Sequence, residues 1–134
     1  MAATILLYDS DCGFCRWSLG KVLAWDRRAR IRPVSLQSKE AEELLTGLSQ
    51  EQRFGSWHLV DAAGERHSAG AGIAPLLRLL PAGRPLAALA ARAPGAMERG
   101  YRFIAGNRSR WGKLVTDGAK RRADRRIAER LRRS

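Results

Sequence analysis

The chain has 134 residues, enough for one domain with its own apolar core. With 45% hydrophobic and 28% charged residues it has the composition of a folded globular protein rather than a disordered chain. The net charge of +12 is uneven: residues 1–91 carry 11 Lys and Arg against 9 Asp and Glu, whereas residues 92–134 carry 14 against 4. The basic character therefore belongs to the last third of the chain, which is either a solvated face or a surface for an anionic partner. The start "MAATILLYDSDC" has no basic n-region, and its apolar stretch is too short for a signal peptide or a membrane span. We therefore expect a cytoplasmic protein without a membrane span. In a reducing compartment, two cysteines point to catalysis or metal binding before a structural staple.

Thr4 to Tyr8 holds an unbroken apolar run bounded by Asp9, Ser10 and Asp11, and predicts a buried strand. From Gly13 to about Asp26 the apolar spacing becomes helical, with Phe14, Trp17, Val22 and Trp25 on one face and Arg16 and Lys21 facing water. Asp11 is placed to cap that helix. "IRPVSLQS" (residues 31–38) predicts a second strand, and "KEAEELLTGL" a short helix stopped by Gly47. Trp57 to Val60 and Glu65 to Ala69 predict strands joined by the turn "DAAG". "IAPLLRLL" predicts a helix ending at Pro81. The order β-α-β-α-β-β-α implies parallel pairing with an antiparallel hairpin at one edge, an α/β fold.

Beyond Pro81 the pattern is helical throughout. "RPLAALAARA" is a short helix, and "AMERGYRFIAGNRSRWGKL" is one longer helix weakened by Gly100 and Gly106. "DGAKRRADRRIAERLRR" has only Ile127 and Leu131 as apolar anchors, so a frayed, solvated helix or disorder is expected. With no internal repeat and no linker, residues 1–116 read as one domain and residues 117–134 as a basic tail.

The only two cysteines, Cys12 and Cys15, stand two residues apart between the first strand and the first helix. The first cysteine of such a pair at a helix N-terminus lies beside unpaired N–H groups and the positive end of the helix dipole, which favours its thiolate. A helical turn brings the second sulfur close enough to close a disulfide. On this reading Cys12 is the nucleophile on protein or small-molecule disulfides, Cys15 resolves the mixed disulfide, and a separate thiol acts as reductant. Asp9 and Asp11 oppose the thiolate and Arg16 supports it. The two aspartates are either turn and cap residues or a proton acceptor for Cys15.

Other readings compete. A zinc site would need His58 and His67 as further ligands, at a spacing that departs from zinc-site patterns, and these are more simply strand residues with one side exposed. The "DSD" after a strand has the form of an aspartate phosphotransfer loop, but no acidic pair at a strand end follows to hold magnesium. Both cysteines could also be small core residues. We expect no metal and no cofactor. A function of a different class is a non-catalytic binding module that engages an anionic partner through the arginine-rich C-terminal region.

Three stretches, "LLYDSDCGFC", "IRPVSLQS" and "YRFIAGNRSRWGKL", resemble in order the motifs of the DCC family of thiol-disulfide oxidoreductases. The resemblance spans roughly residues 4–114 and implies a thioredoxin-like fold, to which the charge pattern adds a helical, basic C-terminal extension. It also implies redox roles for Cys12 and Cys15 and a structural or tuning role for Asp9. The chain departs from the family's pattern at Gly13, where many relatives carry Pro, and at "HSAGAG", which replaces a more polar, acidic segment. Thioredoxins also carry a cis-proline opposite their cysteines, and "RFGSWHLV" offers no proline before its strand.

Overall fold

The computed structural model describes residues 4–133. The first three residues of the amino-terminal stretch and the last residue of the basic segment lie outside the described residues. Strand β1 (Thr4–Tyr8) is an inner strand of a four-stranded sheet ordered β2-β1-β3-β4. It pairs in parallel with β2 (Ile31–Ser35) and antiparallel with β3 (His58–Val60), which in turn pairs antiparallel with β4 (Arg66–Ser68). Alternate side chains of β1 point to opposite faces. Leu6 and Tyr8 join Leu19, Leu23 and Leu59 in one core, while Leu7 joins Val34, Leu36, Leu45 and Val60 in the other. Covering on both faces explains why the run is continuous rather than alternating. Pro33, which has no N–H to donate, is tolerated because β2 is an edge strand.

Helix α1 (Gly13–Trp25) links the two parallel strands, but its buried stripe is not the aromatic one. Leu19, Gly20 and Leu23 are buried, whereas Trp25 is 37% exposed and donates its indole N–H to the Pro81 carbonyl. The stripe differs because α1 is covered from two sides: the sheet takes Leu19 and Leu23, and helix α8 (Asp117–Arg133) takes Gly20.

The segment expected to be a solvated or frayed tail is this α8. It buries Ala123 and Ile127, and Arg130 anchors it more deeply. Its Nη1 donates to Asp26 Oδ2 at 2.7 Å and to the Ile31 carbonyl at 3.1 Å. Its Nη2 donates to the carbonyls of Leu23 and Asp26. Asp26, wholly buried at the end of α1, also accepts the backbone N–H groups of Arg30 and Ile31. A count of apolar anchors misses a helix held by a buried ion pair.

Helix α2 (Lys39–Leu44) is capped by Ser38, and α3 (Gln50–Phe54), which the apolar pattern does not suggest, begins with a reciprocal capping box between Ser49 and Gln52. After β4, a single turn at Ala69–Gly72 leads to α4 (Ile73–Leu79) and α5 (Arg84–Arg92). The long helix expected over residues 96–114 is two, α6 (Pro94–Gly106) and α7 (Arg108–Leu114). The break falls at Asn107, whose side-chain amide donates to the Phe103 carbonyl. It lets α7 turn back onto the first turn of α1, where a Cβ on Gly112 would lie 3.8 Å from Phe14 Cβ.

His58 is buried rather than one-sided. Its Nε2–H donates to the Arg53 carbonyl at 2.9 Å, and its Nδ1 accepts from the Ser68 hydroxyl at 2.6 Å. The architecture is mixed α/β and consistent with a thioredoxin-like fold, as the sequence predicts. Among the described residues, no helix is long and apolar enough to cross a membrane.

Candidate active site

The loop from Asp9 to Cys12 is built by side chains of the strand beside it. Asp9 Oδ1 accepts the Asp11 backbone N–H at 3.0 Å, and the Cys12 N–H bonds the Asp9 carbonyl, which closes a tight turn. Asp11 is therefore not the cap of α1. That position is held by Cys12 itself, whose Sγ accepts the Cys15 N–H at 3.2 Å. Gln37, just beyond β2, clamps the turn. Its amide Nε2 donates to Asp9 Oδ1 at 2.7 Å and to Asp11 Oδ2 at 3.3 Å. Its Oε1 accepts from the Ser10 backbone N–H at 3.1 Å and from the Ser35 hydroxyl at 2.9 Å.

Cys12 and Cys15 are free, half-buried thiols, and the structure treats them unequally. Cys12 Sγ takes an amide N–H at the positive end of a 13-residue helix. Burial first, then the hydrogen bond to Cys12 and the charge on Cys12, push the Cys15 thiol up to about 12; Asp9 adds to this and Arg108 works against it. Cys15 thus keeps its proton across the neutral range, while Cys12 lines a cleft shared with Asp9, Asp11 and Arg108.

The guanidinium acting on Cys15 is that of Arg108, which lies 3.8 Å from Asp9 Oδ2. Arg16, the cation that the sequence suggests, instead bonds Asp124 at 2.9 Å and the Ser10 carbonyl at 2.8 Å. It ties the loop to α8. His58 is committed to Ser68 and Arg53, and the cysteines belong to no cluster of three metal-ligating side chains among the described residues.

Two cavities open on the dithiol. A cleft of about 440 Å³ at Cys12 is lined by Asp9, Asp11, Arg108, Lys113 and Lys120. A cavity of about 340 Å³ at Cys15 is lined largely by apolar side chains, among them Phe14, Val22, Leu76, Trp57 and Ile104. Ser56 and Trp57, in the loop that enters β3 without a proline, form part of its wall. The Tyr101 hydroxyl, also in the wall, accepts the Trp57 N–H at 3.3 Å, and burial pushes its ionisation up.

A family model described as DCC1-like thiol-disulfide oxidoreductase matches residues 6–114, most of the chain and all of this site except Lys120. The chain belongs to that family. No curated protein and no solved structure matches it. Helix α8 lies beyond the span shared with the family.

Gln37, Tyr101 and Arg108 were not singled out as site residues from the sequence. The signal was nevertheless present, because Gln37 lies in "IRPVSLQS" and Tyr101 and Arg108 in "YRFIAGNRSRWGKL". The three stretches that carry the family resemblance are those that meet around Cys12 and Cys15.

Proposed function

We propose that the chain reduces or exchanges disulfides through Cys12 as attacking sulfur and Cys15 as resolving sulfur. The observation that carries this reading is the asymmetry of the pair: an amide-bonded sulfur at a helix N-terminus beside a half-buried one whose thiol is pushed up to about 12. The Cys12 thiolate attacks one sulfur of a substrate disulfide, forms a mixed disulfide and expels the other half as a thiolate. Cys15 then loses its proton and attacks Cys12 Sγ. The second half leaves as a thiolate, and a Cys12–Cys15 disulfide remains. Two electrons pass to the substrate, and an external thiol compound returns them to the protein. Asp9, in the wall of the Cys15 cavity, takes the proton of Cys15 at the resolving step. Arg108 keeps the local charge near balance while the sulfurs are anionic.

The test is trapping. Cys15→Ser should accumulate a mixed disulfide with substrate through Cys12, and Cys12→Ser should trap little; equal trapping by both would void the assignment.

A second reading is favoured by one feature of α8. Arg121, Arg122, Arg125, Arg126 and Arg132 are exposed and hold no ion pair among the described residues. In that reading the molecule is a binding module for an anionic partner. Salt-sensitive binding to DNA that is lost in Arg122→Glu/Arg125→Glu and indifferent to both cysteines would support it.

A further inference from the structure

The dithiol stands where two cavities of opposite character meet, since Asp9, Phe14 and Arg108 line both. The cleft at Cys12 collects cations from two helices, Arg108 and Lys113 of α7 and Lys120 of α8. Lys120 lies across the start of α1, where a Cβ on residue 13 would sit 3.1 Å from its Cε. Glycine at that position leaves room for it. Of the opposing carboxylates, Asp9 faces Arg108, and the neutral Gln37 amide orients both Asp9 and Asp11 without cancelling their charge. Lys113 and Lys120 face no carboxylate partner among the described residues. Three cations against two carboxylates leave the lining of this cleft with an excess of one positive charge.

The Cys15 side is the reverse. Its cavity falls at the lower end of the volumes that hold small ligands, and its wall is aromatic and aliphatic. A group bound there would touch Phe14, Val22, Leu76 and Ile104 while its sulfur stayed beside the pair.

Resting on the oxidoreductase reading, we infer that the substrates are amphipathic disulfides, with an anionic group such as a carboxylate on one side of the S–S bond and an apolar group on the other. The anionic half sits in the cleft among Arg108, Lys113 and Lys120, and the apolar half fills the cavity beside Cys15. The exchange itself is unchanged. Cys12 forms the mixed disulfide as one half departs as a thiolate, Cys15 displaces the other half, and the Cys15 proton ends on a departing thiolate by way of Asp9. The external thiol named above restores the reduced pair.

Three small disulfides test this on the unmodified protein: bis(2-hydroxyethyl) disulfide, 3,3′-dithiodipropionate, and the mixed disulfide of benzyl mercaptan and 3-mercaptopropionate. Each rate is divided by the rate of the same disulfide with free dithiothreitol, which removes intrinsic reactivity. The normalised rate should rise in that order, with the mixed disulfide ahead of the hydroxyethyl compound by roughly tenfold or more. Added salt should erase the carboxylate's share and spare the benzyl share. Lys113→Glu/Lys120→Glu should remove the first preference, and Ala105→Phe, which fills the cavity from α6, the second. Equal normalised rates for all three, with Cys12-dependent reduction intact, would overturn the inference and leave the oxidoreductase reading standing. No Cys12-dependent reduction of any of the three would sink both.

Discussion

Replacing Arg130 by Ala should destabilise the protein by about 3 kcal/mol, far more than the loss of a surface arginine. Its partner Asp26 is 0% exposed and the Arg130 side chain only 12%. Truncation removes the 2.7 Å charge-assisted bond to Asp26 and leaves that carboxylate with two backbone N–H donors and no counter-charge. It also strips the carbonyls of Leu23, Asp26 and Ile31 of a shared donor. Breaking one side of a buried pair costs about 3–5 kcal/mol, against roughly 5–15 kcal/mol for a whole domain. Asp26→Ala should cost a similar amount. The double variant should cost well under the sum of the two, because the second change removes a charge already left without its partner. Urea denaturation of the reduced protein, followed by circular dichroism, gives all three values. A change below about 0.5 kcal/mol for Arg130→Ala, as expected of an exposed side chain, would refute the claim that α8 is fastened through Asp26.

Three further outcomes follow from the same geometry. Gly20→Ala should destabilise by about 1–3 kcal/mol, because the new Cβ would meet Ala123 Cβ at 2.6 Å and its Cα at 2.8 Å. On helix propensity alone the same change would stabilise by about 0.5–1 kcal/mol, so the sign measured by urea denaturation decides. His58 is held neutral chiefly by burial, which lowers its pKa below 6.5. The unfolded chain therefore takes up a proton that the fold refuses, and stability should be full above about pH 6.5 and fall as pH drops below it. Urea midpoints for wild type and His58→Gln should diverge at pH 7 and converge towards acid; parallel curves would contradict this. Brief iodoacetamide treatment of the reduced protein at pH 8 should label Cys12 and leave Cys15 until far more alkaline pH, as read by peptide mass spectrometry. Preferential labelling of Cys15 would reverse the assigned roles.

The strands and the position of the cysteine pair were legible because both depend on local signals. The apolar run Ile5, Leu6 and Leu7, followed by Tyr8 and the turn residues Asp9, Ser10 and Asp11, marks a buried strand, and C-x-x-C after it falls at a helix start. What escaped depends on partners distant in sequence. The stripe of Phe14, Trp17, Val22 and Trp25 fits one helical face, yet α1 buries Leu19, Gly20 and Leu23, because α8 arrives about a hundred residues later to cover a second face. Helix α8 looked solvated because its main fastening is polar, and hydrophobic periodicity does not register an arginine that pairs with a buried aspartate. Arg16 looked like the thiolate's cation because it is adjacent in sequence to Cys15, whereas Arg108 reaches the pair only after the chain breaks at Asn107. Asp11 looked like the cap, but Gln37 and the Asp9 turn place a sulfur there instead.

Incubation across glutathione buffers of graded potential, followed by acid quench, alkylation and mass spectrometry, reports directly on whether the two sulfurs form a working couple. The expected result is one reversible two-electron transition, with both alkylation sites lost together and a peptide cross-linked between Cys12 and Cys15. Two cysteines that stay alkylatable in every buffer, or that pair only between molecules, would contradict the proposed electron exchange.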